Sequence, residues 1–371
     1  MIAVTLRRAA RPLLLLLLLC PAACHRQTEE TRPTIPLVRE ILSGKSDARA
    51  QMLRGLKPQP VADIAIIGTD FNCDRFAEQL SFQDTQDNVD ARLVEDGLPD
   101  YAGETFACIE DAEPYPSVLA ASGEEALRRQ TVLRVLAALD TVAHISPYDV
   151  DGLAVKPSAK MVVLADPFLA EYGGFDVDTL FRSLGCGIPV FSPIEKMIDH
   201  AFEQGNRWDL SVGVICPPGL DTTGIYDRIF ARKAAERGAR GATCVTIGME
   251  RRDSVLHSFL RRYRDAGHAK PLDVILIDDL TVRPDSLKTE LAEIVSVMNE
   301  SSMTLGRLVS RNFFFLDAFG EVSARCYSFL RENNLFTHNI SNPQVSVYRP
   351  VRKPDAADDA VILIPGSYVQ N

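Results

Sequence analysis

Polar side chains recur at one kind of place in this chain: directly after a short apolar run, where a buried strand would end and a helix begin. In order they are Asp70 and Asn72, Asp166, Ser192, Asp221 with Thr222 and Thr223, Glu250 with Arg251, Asp278 with Asp279, and Asp317, with Phe71, Phe168, Tyr226 and Phe319 as nearby aromatics. Carboxylates, amides and hydroxyls accept hydrogen bonds, and aromatic faces cover apolar rings or cations. If the exits face one cleft, the set suits a small polar ligand such as a sugar, a polyol or a cationic solute, and suits an anion poorly. Asp, Ser and Thr in these places also cap helices, which is the ordinary use of any single one. The functional weight lies in all seven exits carrying such a side chain.

Other chemistry is missing from the pattern. No G-x-G-x-x-G follows the first strand, and the Gly219 to Gly224 spacing imitates a phosphate loop only until Ile225 stands where a lysine is needed. A nucleotide cofactor is therefore not expected, nor any other cofactor. There is no G-x-S-x-G elbow and no H-E-x-x-H pair, and the histidines at 25, 144, 200, 257, 268 and 338 lack ligand spacing, so no metal site is expected.

The elements that would carry these residues alternate strand and helix. The clearest unit runs from Trp208 to Gly248: strand Leu210 to Cys216, turn Pro217 to Asp221, helix Thr222 to Arg237, strand Ala242 to Gly248. Ile225, Ile229, Ala231 and Ala235 fall near one helix face, and Gly238 ends it. Two apolar strands joined by a helix make a right-handed parallel crossover. Upstream, a helix is expected within Leu37 to Leu56, a strand from Val61 to Gly68, an acidic irregular stretch from Phe82 to Glu113 with one strand at Thr105 to Ile109, and a helix opened by a capping box at Ser122 to Glu125. Lys160 to Ala165 and Gly187 to Phe191 read as strands, with helices Asp176 to Leu184 and Ile194 to Glu203 after them. Downstream come helix Asp253 to Ala266, strand Asp273 to Asp278, helix Asp285 to Asn299, strand Asn312 to Leu316 and helix Gly320 to Asn333. Gln344 to Tyr348 is expected to close the second sheet, and Val361 to Pro365 to add one more strand. Alternation of this kind means parallel sheets rather than a sandwich or bundle.

The chain has 371 residues, 46% of them hydrophobic, which suits two α/β lobes better than one. Arg7, Arg8 and Arg11 precede the run Leu13 to Leu19 and the small residues Ala22 and Ala23, the layout of a secretory signal. Leu19-Cys20-Pro21-Ala22-Ala23-Cys24 resembles a bacterial lipoprotein box, which implies cleavage before Cys24, lipid on its sulfur and a place in the bacterial cell envelope, on the periplasmic face or the cell surface. Loss of residues 1 to 23 would move the net charge from −10 to −13, a balance that argues against nucleic acid. Of the six cysteines beyond Cys24, Cys73 and Cys108 are the better disulfide candidates, and Cys186, Cys216 and Cys244 read as buried thiols.

From Val61 to Tyr348 the strand-helix order resembles the type I periplasmic solute-binding superfamily: α/β, two doubly wound parallel-sheet lobes with a hinge and a ligand between them. The divisions implied are a signal over 1–23, a lipid-anchored tether over 24–36, a first lobe over 37–205, a second over 206–350 and a tail over 351–371. Gly205 to Arg207 would form one hinge strand. The expected function is a non-enzymatic receptor that hands a small polar solute to a transporter or sensor, held to the membrane by acyl chains on Cys24. One alternative is an enzyme of the aspartate/glutamate racemase kind, which uses two facing cysteines; Asn72-Cys73 and Gly185-Cys186-Gly187 resemble that pattern, although Cys73 follows the first strand and Cys186 precedes a strand of the same lobe. Another is a surface lipoprotein with an interaction role, for which Gln27 to Glu30 would be the export tag.

Overall fold

Strand β1 (Asp63–Thr69) is a run of Ile and Ala buried on both faces, as a parallel strand between helix layers must be. Helix α3 (Asp70–Phe82) follows it, after the short α1 (Pro36–Ser43) and α2 (Ala48–Leu53), which divide the Leu37 to Leu56 stretch between them. Next come β2 (Thr105–Asp111), α4 (Tyr115–Leu139), the antiparallel hairpin β3 (Val142–His144) and β4 (Leu153–Val155), β5 (Ala159–Leu164), α5 (Gly174–Leu184), β6 (Val190–Phe191) and α6 (Pro193–Gln204). The second lobe comprises β7 (Ser211–Cys216), α7 (Ile225–Glu236), β8 (Thr243–Gly248), α8 (Val255–Asp265), β9 (Leu272–Ile277), α9 (Pro284–Ser296), β10 (Val309–Asp317) and α10 (Ala318–Glu332). Strands β11 (Gln344–Arg352) and β12 (Val361–Pro365) end the fold. The computed structural model describes residues 32–44, 46–90, 92–146, 148, 152–205, 208–250, 254–296, 304–337, 339–353 and 361–366. Cys24, the Gln27 to Glu30 tag, Asn206 and Arg207 of the expected hinge, Arg251 beside Glu250, and Asp253 of the expected helix lie outside those residues.

The first sheet has the order β12-β11-β2-β1-β5-β6 and the second β10-β9-β7-β8, every pairing parallel except β11 with β12. Strand β11 lies beside β2, with Tyr348 opposite Ile109, and so belongs to the first sheet rather than closing the second.

The acidic stretch before β2 is held by carboxylates. Asp100 accepts from the amides of Thr85 and Gln86, and Asp84 from those of Asp96 and Gly97. At the amino ends of the strands, buried Lys160 and Glu104 form a 2.5 Å ion pair. Helix α4 begins earlier than the capping box predicts, at Tyr115, but breaks at Gly123, whose φ of 79° suits glycine. Alternate residues of β7 and β9 then divide between two cores. Val212, Val214, Val274 and Leu276 join the large cluster that runs through both lobes, whereas Ile215, Ile275 and Ile277 pack under α8 and α9. Residues 35–371 are accordingly one compact unit, with the large core continuous from lobe to lobe.

Candidate functional site

In open parallel sheets, a crevice forms at the carboxyl ends of neighbouring strands whose connections leave in opposite directions, and ligands settle there. In the first lobe that pair is β1 and β5, in the second β7 and β9. Their carboxyl ends carry Asp70 and Asp166 on one side, and Cys216, Asp278 and Asp279 on the other.

Asp166 is buried, its Oδ1 accepting the Phe168 amide at 2.9 Å. Burial pushes its carboxyl up to about 7, against the pull of that amide, and the charge of Asp111 adds to the rise. Asp278 is half-buried and takes a 2.8 Å hydrogen bond from the Tyr226 hydroxyl. Its carboxyl is also pushed up to about 7, by burial first, with Tyr226 opposing and the charges of Asp166 and Asp279 adding. The charge of Asp166 thus reaches Asp278 of the other lobe and buried Tyr226, whose hydroxyl burial raises well above its usual range, with the charge of Asp278 and then that of Asp166 contributing.

Backbone register reveals a finer correspondence. Ala165 donates to Ile67 O in the first lobe as Asp278 donates to Ile215 O in the second. The positional counterpart of Asp166 is therefore Asp279, and its Oδ1 likewise accepts the amide two residues on, that of Thr281 at 2.9 Å. The carboxyl that meets Tyr226 is the one just before it.

Around this centre, Asp111 ends β2 and is held by Arg134 at 2.7 Å and by the Tyr115 hydroxyl at 3.0 Å. Asn72 reaches from the β1 exit to Ala165 O at 3.4 Å. Phe168 is buried and stacks on Tyr172 at 6.0 Å, and the Arg228 guanidinium covers the other member of that stack at 5.4 Å. Arg232 on α7 binds Glu171 at 3.2 Å and Glu195 at 2.5 Å, tying the second lobe to the first beside the site. Ser192 is buried at the β6 exit, and its hydroxyl has no hydrogen-bond partner.

The remaining exits do not join this centre. Asp70 is exposed and lines a separate cavity of about 670 Å³ with Asp74, Glu110, Tyr348 and Arg349; Glu110 there is pushed up to about 7, by burial and then by Asp74. Phe71 is exposed beneath the Arg75 guanidinium. Thr222 and Thr223 bond their own turn, Glu250 is exposed, Asp221 lies 3.9 Å from Arg262, and Asp317 caps α10 through the Gly320 amide at 2.7 Å. Proximity to a strand exit selects Asp166 and Asp278 but also these helix and turn fixtures. Tyr226 stood in the sequence as one aromatic among several, and Asp111 lay beyond the expected end of β2.

The structure corrects the disulfide expectation. Cys73 and Cys108 are free and buried, not bridged. Burial raises Cys73 well above the usual thiol range, with Cys108 beside it, and also raises Cys186. Cys73 stands in the first turn of α3, at the carboxyl edge of the first sheet, whereas Cys186 follows α5 and precedes β6, at the amino edge, so the two do not face each other. Among the described residues no group of three or more His, Cys, Asp or Glu side chains is placed to hold a metal ion, and no helix is long and apolar enough to cross a membrane.

No family model matches the chain, and no curated protein does. Solved structures with a similar fold include glutamate racemase from Francisella tularensis in complex with D-glutamate, 13% identical over 81% of this chain and 90% of that one, with a TM-score of 0.45. The RacE1 isoform from Bacillus anthracis is 12% identical over 78% and 88%, TM-score 0.45. The Aquifex pyrophilus enzyme is 12% identical over 79% and 91%, TM-score 0.40. These neighbours are racemases rather than type I periplasmic binding proteins, which corrects the receptor reading. The expectations that hung on it go too: a non-enzymatic solute carrier, a transporter or sensor to receive its cargo, and a membrane partner. The two-lobed α/β architecture with parallel sheets stands.

Proposed function

We propose that this protein is an acid–base enzyme that removes a proton from the α-carbon of a small amino acid and returns it, a racemase or epimerase reaction, with Asp166 and Asp278 as the proton carriers. One observation carries this reading: two carboxyl groups, one following β5 in the first lobe and one following β9 in the second, are both pushed to about 7 by burial, and the charge of Asp166 adds to the rise of Asp278. Such a pair repels when doubly charged, so near neutrality it holds roughly one proton between its members. One carboxylate is then the base and the other the acid, as two-sided proton transfer requires. The C–H bond breaks toward one carboxylate, its electron pair moves onto the adjacent carboxyl group, and the second carboxyl delivers its proton to the opposite face.

The Phe168 amide tethers one oxygen of Asp166, and Tyr226 tethers one of Asp278, so each presents its other oxygen to the reacting carbon. The facing-thiol version, with Cys73 and Cys186, does not fit, because those thiols lie at opposite edges of the first sheet. An acid-rich crevice welcomes the substrate ammonium, and glutamate, bound as the D form in the Francisella structure, is the first substrate to try.

The test is deuterium uptake at Cα, followed by proton NMR in heavy water, across the common L- and D-amino acids. Uptake into at least one, lost by about 100-fold or more in both Asp166→Asn and Asp278→Asn, is expected for paired general acid–base catalysis. Uptake that survives either substitution, or none across the panel, overturns the reading.

A further inference from the structure

We propose that Ser192 and the amino end of α6 form the subsite for the α-carboxylate of the amino-acid substrate; this rests on the proton-transfer reading for its reaction but on separate residues for its geometry. Strand β6 runs parallel to β5 with Phe191 beside Val163, so Ser192 leaves the sheet next to Leu164, two residues before Asp166. Helix α6, twelve residues long, starts there and packs against β9, the strand that ends just before Asp278. The amino end of α6 thus starts beside the β5 exit, and the helix as a whole packs on the strand that leads to Asp278.

Serine at this position ordinarily accepts an amide of the first turn. Ser192 does not: its side chain makes no capping bond, the residue is 5% exposed, and the hydroxyl is unpartnered. A buried orphan hydroxyl weakens a fold, and in a native structure it calls for an explanation. The first-turn amides have no acceptor within the helix either, and Pro193 at the first position leaves those of Ile194 and Glu195 to offer. Hydroxyl and amides together are the donors that a carboxylate takes at a helix amino end. The one acid of that turn, Glu195, does not oppose an anion outright, because Arg232 binds it at 2.5 Å.

The subsite predicts what the protein distinguishes. Titration calorimetry on the full chain with glutamate, and with isoglutamine, whose α-carboxylate is an amide, should show glutamate bound roughly 10-fold tighter, as loss of charge-assisted hydrogen bonds implies. Ser192→Ala should reduce that preference to about two-fold or less and raise KM for exchange with kcat nearly unchanged, the mark of lost uniform binding, whereas Ser192→Thr should retain both. Because the hydroxyl is unpartnered, Ser192→Ala should also melt no lower than the natural protein. Ser192→Ala protein that still prefers glutamate while exchanging deuterium overturns the subsite and leaves the proton-transfer reading intact. Ser192-dependent glutamate binding with no exchange does the reverse. Failure of the whole amino-acid panel to bind overturns both.

Discussion

A carboxyl that is protonated when folded and ionised when unfolded makes stability depend on pH. Asp166 and Asp278 rise from the ordinary 3.8 to about 7 in the folded protein. Between those values the native state holds protons that the unfolded chain has released, so the two groups weigh least on the fold below pH 4, and stability is lost as pH climbs from there toward 7. At about 1.4 kcal/mol for each tenfold change in proton affinity, each costs the fold on the order of 2–4 kcal/mol at pH 8. Asp278→Asn removes the ionisation and can still accept from Tyr226. Urea denaturation should find this variant more stable than the natural protein by about 2 kcal/mol at pH 8, with the gain gone at pH 4. A gain that does not change with pH would mean that Asp278 ionises normally in its crevice. Such a cost, kept by a protein, is the usual signature of groups retained for their chemistry.

At the scale of elements, Asp166 is set by the turn that follows it, a wide π-type turn over Leu169–Gly173 running into α5. That turn lies tightly on α4, where a Cβ at Gly173 would overlap the Thr131 side chain; a Cβ at neighbouring Gly174 would meet nothing within 4 Å. Gly173→Ala should therefore cost about 2–3 kcal/mol by overpacking. Gly174→Ala, at helical angles, should be neutral or gain up to about 1 kcal/mol. Thermal melts of the pair settle the matter, since equal effects would mean that α4 does not wedge the turn. Much of this layer was legible beforehand: apolar runs such as Lys160 to Ala165 and Asp273 to Asp278 coincide closely with β5 and β9, because a strand buried on both faces leaves a continuous signal. The site was legible only as residue types. Asp166, Asp278 and Asp317 look alike in sequence, yet Asp317 caps α10 while the charge of Asp166 bears on Asp278 across the lobes. Which exits converge depends on strand order, and no local pattern encodes that. The placement of Gln344 to Tyr348 failed for the same reason, since pairing with β2 rather than with the second sheet is a long-range choice.

At the scale of the whole molecule, the chain returns from the second lobe to complete the first sheet with β11 and β12. The lobes are therefore not independent. Helix α6, which precedes the second lobe in the chain, roofs β9 and β10, where Val274, Leu276 and Leu316 are buried in the core shared by both lobes. At roughly 1.5–3 kcal/mol for each buried aliphatic side chain, uncovering those three costs about 5–9 kcal/mol. That equals much or all of the roughly 5–15 kcal/mol by which a domain is ordinarily stable. Residues 208–337 expressed alone should therefore lack a cooperative melt and expose apolar surface to a hydrophobic dye, whereas the full chain should unfold in one calorimetric transition whose van't Hoff and calorimetric enthalpies agree. Two resolved transitions, or a folded 208–337 fragment, would show the lobes to be separable. A gap that opens by independent lobe motion would then be admissible, and the pairing of Asp166 with Asp278 would hold in only part of the population.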